Sequence, residues 1–183
     1  MSDWTSDGAF LIYAWGGDVF ALPVTGPDRK PIPIAATPAT EFGGAVSPNR
    51  RWIAYVSNET KRQEVYVQPF MPGSAGAPAG KWLVSNNGTS GFVRWRADSS
   101  ELVFLNGDGA LASVKVTSAP VFKASAPQVI FQMPRPFLVQ AGTPGALADA
   151  SRDLTRFIVA MPSESSRRQE LSVVLNWLTE TRP

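Results

Sequence analysis

A chain of 183 residues with no cysteine and no histidine cannot form disulfides, thiolate nucleophiles, Fe–S clusters or Cys-based zinc sites. It also lacks the commonest general base, metal ligand and near-neutral pH switch. Seventeen Lys and Arg against fifteen Asp and Glu give a net charge of +2 with no concentrated basic stripe, which argues against a nucleic-acid partner, while fifteen Gly, sixteen Pro and six Trp point to β structure.

In chain order, the amino-terminal Met1-Ser2-Asp3-Trp4 lacks a basic stretch followed by an apolar core, and no segment approaches eighteen consecutive apolar residues. Neither a signal peptide nor a membrane-spanning segment is expected in the chain as given. The first predicted element is a hairpin over 4–13: an apolar strand end, a polar turn around Asp7-Gly8, and the strand Phe10-Leu11-Ile12-Tyr13. A second strand, Val19–Leu22, follows the loop Ala14-Trp15-Gly16-Gly17-Asp18, and a third candidate lies at Ile32-Pro33-Ile34. The same order recurs from Val46, with a turn at Asn49, the strand Trp52-Ile53-Ala54-Tyr55, then Val65–Gln68 and Trp82–Val84. From Trp95 it recurs with Asp98, Leu102-Val103-Phe104, Leu111–Val114 and Val129–Phe131. From Ala150 it recurs with Asp153, Phe157-Ile158-Val159 and Leu171–Val174, where no third candidate follows.

These windows start at residues 4, 46, 95 and 150, giving periods of 42, 49 and 55 residues, close to the roughly 40 to 50 residues of a four-stranded propeller blade. A sandwich has no reason to repeat one hairpin motif at this period, and no i, i+3, i+4 apolar run supports a helical solenoid. The fold class read from the sequence is therefore all-β: a β-propeller array of about four blades, each a four-stranded antiparallel sheet, or half of an eight-bladed ring. The repeats span about 1–38, 39–88, 89–144 and 145–183 of one domain. The first unit is expected to lack an inner strand and the fourth an outer one. Such open ends fit a fragment of a longer chain, two copies joined in one ring, or a small ring closed by shared strands; of these, two-copy association is the preferred reading. Only Gly8 keeps a glycine at the fifth position of the motif. Arg50, Ser99 and Leu154 replace it, so those three turns are expected to be looser or of another type.

Val46-Ser47-Pro48-Asn49-Arg50-Arg51-Trp52-Ile53-Ala54-Tyr55 resembles the TolB-like, WD-repeat-like propeller repeat of bacteria. Gln63–Phe70, Gly80–Ser85 and Val173–Trp177 look more specifically like the propeller at the carboxyl-terminal end of bacterial serine/threonine protein kinases. The resemblance implies a propeller used for protein interaction or sensing, in relatives that often act outside the cytoplasm. It brings no kinase chemistry, because the Gly-rich loop, the His-Arg-Asp loop and Asp-Phe-Gly have no counterpart here.

Asp7, Asn49, Asp98 and Asp153 could form an acidic ring for a cation, but the recurrence of the position and its one Asn favour turn capping. Trp4, Trp52, Trp95, Tyr55 and Tyr66 could form a stacking platform, yet their strand positions favour packing between sheets. No catalytic residue, metal ligand or cofactor is assigned. The expected role is a non-catalytic module binding a protein or peptide, and a second copy of itself. The competing reading is a propeller glycosidase, or the propeller of a serine peptidase without its catalytic domain. The candidate contact rim comprises the loops between the second and third strands of each blade, with Trp15, Asp18, Lys61, Arg62, Arg167 and Arg168.

Overall fold

The computed structural model describes residues 1–27, 29–74, 80–117, 121–133 and 148–159. Among them the structure is all-β, in consecutive antiparallel blades of propeller type. Blade 1 is a four-stranded sheet of β1 (Asp3–Trp4), β2 (Phe10–Trp15), β3 (Asp18–Pro23) and β4 (Ile32–Ala35), in that order. Blade 2 repeats the order with β5 (Glu41–Val46), β6 (Trp52–Ser57), β7 (Glu64–Pro69) and β8 (Trp82–Leu83). Blade 3 runs β9 (Thr89–Trp95), β10 (Glu101–Asn106) and β11 (Ala110–Thr117). The outer edge of β11 is shared between β12 (Lys123–Ala124) and β13 (Gln128–Gln132). The described part of a fourth blade is the hairpin β14 (Ala148–Ala150) and β15 (Phe157–Val159).

Side-chain alternation explains the stacking. A strand presents successive residues to opposite faces, and in β6 Trp52, Ala54 and Val56 enter a core shared with blade 3 while Ile53 and Tyr55 enter one shared with blade 1. In β10, Leu102 and Phe104 face blade 2, whereas Val103 and Leu105 face the fourth hairpin. Blades 2 and 3 are thus apolar on both faces, which is why their strands read as continuous apolar runs. Full burial of a side chain such as Phe104 contributes roughly 1.5–3 kcal/mol.

Glycine sets the spacing of the first joint. A Cβ on Gly44 would lie 2.8 Å from Ile12 Cγ2 and 3.0 Å from Val19 Cγ1, so blades 1 and 2 approach through a residue with no side chain.

Two expectations are corrected. The first unit does have an inner strand: β1 is only two residues long, but Asp3 pairs with Ile12 and Trp4 with Leu11. The four turns are also of one kind. The fifth position is left-handed in every case, with φ of 72° at Gly8, 58° at Arg50, 63° at Ser99 and 58° at Leu154. In each, the amide of that residue donates to the carbonyl three residues earlier. The three non-glycine residues hold an unfavourable conformation because their side chains reach the preceding blade. Arg50 pairs with Asp7, Ser99 Oγ accepts the Asn49 N–H at 3.0 Å, and Leu154 packs with the core under blade 3. The strand predicted at 171–174 lies outside the described residues.

Candidate functional site

One end of the array is built from the four repeated turns. Asp7 Oδ1 accepts the Thr5 hydroxyl at 2.7 Å and the Ala9 N–H at 3.1 Å. Asn49 does the same with Ser47 and Arg51, Asp98 with Ser100, and Asp153 with Ser151 and Thr155. These groups cap their own turns. The Thr5 hydroxyl holds the Asp7 carboxyl down at about 2, the Ser151 hydroxyl holds Asp153 at about 2, and the Ser100 hydroxyl lowers Asp98. The turns are also linked in series. Besides the Asp7–Arg50 pair, the Ser6 hydroxyl donates to Pro48 O at 2.8 Å and the Ala97 N–H to Arg152 O at 2.7 Å.

The opposite end carries the predicted rim. Trp15 and Asp18 flank a two-residue turn whose Gly16 and Gly17 have φ of 64° and 94°, a geometry that glycine adopts readily. Trp15 is 77% exposed. The rim continues through hydrogen bonds between successive loops. Glu41 N–H donates to Gly17 O at 2.6 Å, Thr40 N–H to Asn58 Oδ1 at 2.8 Å, and Lys61 N–H to Asn58 O at 2.8 Å. From there Thr89 N–H reaches Gln63 O at 2.9 Å, and Gly107 N–H reaches Asn87 O at 3.0 Å. Three of the predicted loops are therefore strung along one end, with Trp15, Asp18, Lys61 and Arg62 on them. Arg167 and Arg168 lie outside the described residues.

Arg62 is anchored rather than free. Its Nε donates to Glu64 Oε1 at 2.6 Å and its Nη2 to Asn86 O at 3.3 Å. Lys61 is exposed, with no side-chain partner among the described residues. Glu64 itself is buried, accepting from the Ser85 hydroxyl and from Gly88 N–H at 3.0 Å, so it clamps the connector between blades 2 and 3. The signal for Glu64 was a carboxylate opening the apolar run Val65-Tyr66-Val67, which only the loop around Ser85 explains.

The inner strands carry three carboxylates among the described residues, and each has protein partners. Asp3 accepts Val46 N–H at 2.7 Å and Trp4 N–H at 2.8 Å. Burial pushes its pKa up. Glu41 is held by the Thr37 and Ser57 hydroxyls, and Asp149 by Arg94 Nε at 2.9 Å and Ala150 N–H at 2.8 Å. A cleft of about 400 Å³ between blade 3 and the fourth hairpin is lined by Arg96, Glu101, Lys115 and Asp153 among others. Its charges are largely spent on one another and on nearby hydroxyls: Arg96 pairs with Asp98 and Glu101, and the Ser113 hydroxyl donates to Glu101.

The aromatic residues divide unevenly. Trp52, Trp95, Tyr55 and Tyr66 are buried as expected, and Trp95 Nε1 donates across the joint to Ala45 O of blade 2 at 2.9 Å. Trp4, at the same motif position as Trp95, is 56% exposed instead.

No family model matches this chain, and no curated protein matches it. Among solved structures it is similar to a protein designated TolB from Agrobacterium tumefaciens, at 19% identity and a TM-score of 0.46. The match covers 67% of this chain and 43% of that one, so the chain spans less than half the length of that neighbour.

Proposed function

We propose that this chain is a non-catalytic protein-interaction module that binds a segment of another protein at the loop end of its blades. The observation that carries the reading is Trp15, a large apolar side chain 77% exposed at the end of β2, where it pairs with Asp18 across a two-residue turn. Exposed aromatic anchors of this kind dominate protein recognition because they offer large contact area at small entropic cost. Lys61 lies along the same end and adds a cation, so the reading favours a peptide with an apolar side chain beside an acidic one. The engagement of Asp3 and Glu41 with neighbouring groups supports the non-catalytic side of the proposal, since it leaves Asp149 as the one open carboxylate on the described inner strands and a glycosidase needs two facing a sugar.

The test is selection of binders from a phage-displayed random peptide library against the whole chain. Selected peptides are expected to bind the wild type and to lose at least tenfold in affinity on Trp15→Ala, with far-ultraviolet circular dichroism unchanged. Peptides that bind equally well to Trp15→Ala and to Lys61→Ser would exclude the rim as the binding surface.

A further inference from the structure

The repeat assigns every strand residue a direction. In the strand that follows each turn, the seventh and ninth motif positions face the next blade: Phe10 and Ile12 in blade 1, Trp52 and Ala54 in blade 2, Val103 in blade 3. The eighth and tenth positions face the preceding blade: Ile53 and Tyr55, Leu102 and Phe104, Phe157 and Val159. In blade 1 the eighth and tenth positions are Leu11 and Tyr13. Pairing across β2 and β3 puts Leu11 beside Leu22 and Tyr13 beside Phe20, the last two rings stacking at 5.7 Å. This face has the chemistry of a blade joint but is only half-buried, and Trp4 beside it is 56% exposed where its equivalent, Trp95, crosses a joint.

The fourth hairpin shows the other half of a joint. Asp149 stands at the same motif position as Asp3. Asp3 reaches the next blade at Val46, whereas the Asp149 side chain remains 62% exposed, and Ile158, at the ninth position, is half-buried. Among the described residues, one chain thus presents two complementary half-joints that do not cover each other.

We infer that blade 1 docks a second copy of this chain, with Leu11, Tyr13, Phe20 and Leu22 packing against the fourth hairpin of the partner around Ile158. Two such contacts between two copies close a ring, whereas one contact that failed to close would make a filament. The surface continues an established interface in register, since Ile12 already shares a core with Ile53 and Tyr55 at the first joint. By the same equivalence, Trp4 Nε1 takes the partner's Asp149 carbonyl as Trp95 takes Ala45. This rests on the interaction-module reading but uses a different surface from the Trp15 rim.

The test is mass by light scattering, joined to disulfide trapping. The expected mass is twice 19.7 kDa, and Trp4→Arg or Tyr13→Lys is expected to return a single-chain mass with circular dichroism unchanged, while the exposed control Lys30→Glu remains paired. Because the chain has no native cysteine, Leu11→Cys combined with Ile158→Cys reports the contact directly: an intermolecular disulfide supports it. A single-chain mass for the wild type, an intramolecular disulfide, or a mass that grows without limit as concentration rises overturns it. A single-chain wild type that still binds peptide through Trp15 sinks the docking alone; a closed pair that binds no peptide sinks the rim reading alone.

Discussion

At the residue scale, the fifth position of the motif carries most of the local information. Left-handed backbone costs about 1–2 kcal/mol for a residue with a Cβ, yet three of four turns accept that cost. Each gains a contact with the blade before it, whereas Gly8, in the first blade, makes no such contact among the described residues. The neighbouring Asx position sets an acid sensitivity. Asp7 and Asp153 have folded values near 2 against 3.8 for the free group, and Asp98 shifts the same way. A lowered folded value means a stabilising contribution that is fully present above 3.8 and is lost as pH falls towards about 2. Asp7→Asn, Asp98→Asn and Asp153→Asn together are expected to flatten the acid limb of urea-midpoint stability between about pH 4 and pH 2, and an unchanged slope would contradict this. Asn49, which cannot titrate, shows that the cap tolerates the change. The cap role was legible from recurrence alone. The turn type was not, because the compensating contacts come from the preceding blade, 43 positions away for Arg50 with Asp7 and 50 for Ser99 with Asn49.

Elements were legible where period and turn chemistry agreed. The third strands of the first three blades, β3, β7 and β11, fall where Val19–Leu22, Val65–Gln68 and Leu111–Val114 predict them, and the hairpins begin at the repeated turns. The short β1 escaped notice because two paired residues leave no alternation to read. Blade 3 differs for another reason: β11 is eight residues long, so two short strands fit along its outer edge. Gly44 in β5 was equally silent, since its importance lies in what stands across the joint. Its backbone is ordinary, so the cost of Gly44→Ala is purely steric, with Ile12 and Val19 having to give way. Overpacking of this kind costs typically 1–3 kcal/mol. Gly44→Ala is expected to lower stability by about that amount in chemical denaturation, with the Gly44→Ala, Ile12→Ala pair losing less than the sum of the single losses; additive losses would mean the two do not share the joint.

At the scale of the whole molecule, stability should follow position along the array. Stacked repeats contact only their neighbours, so each blade is held by its own sheet and by the joints on either side. Blade 2 has both joints filled, through the cores shared with blades 1 and 3, and blade 3 is nearly as well placed. Among the described residues blade 1 has one joint filled, and its β4 includes a proline at the edge. In the single-chain form made by Trp4→Arg, hydrogen exchange is therefore expected to be slowest in β6 and β10 and faster in β2 and β3. The hairpin β14–β15 should open first among the described strands, since none of its residues is fully buried. Uniform protection from β2 to β15 would show instead that the blades open as one cooperative unit, and would refute a nearest-neighbour account of the fold. The comparison with wild type carries the argument one step further. If a second copy covers Leu11 and Tyr13, pairing fills the missing joint of blade 1, and exchange in β2 and β3 should slow towards that of β6 while the centre of the array barely changes. Equal exchange in the two forms would leave the open face of blade 1 without an occupant.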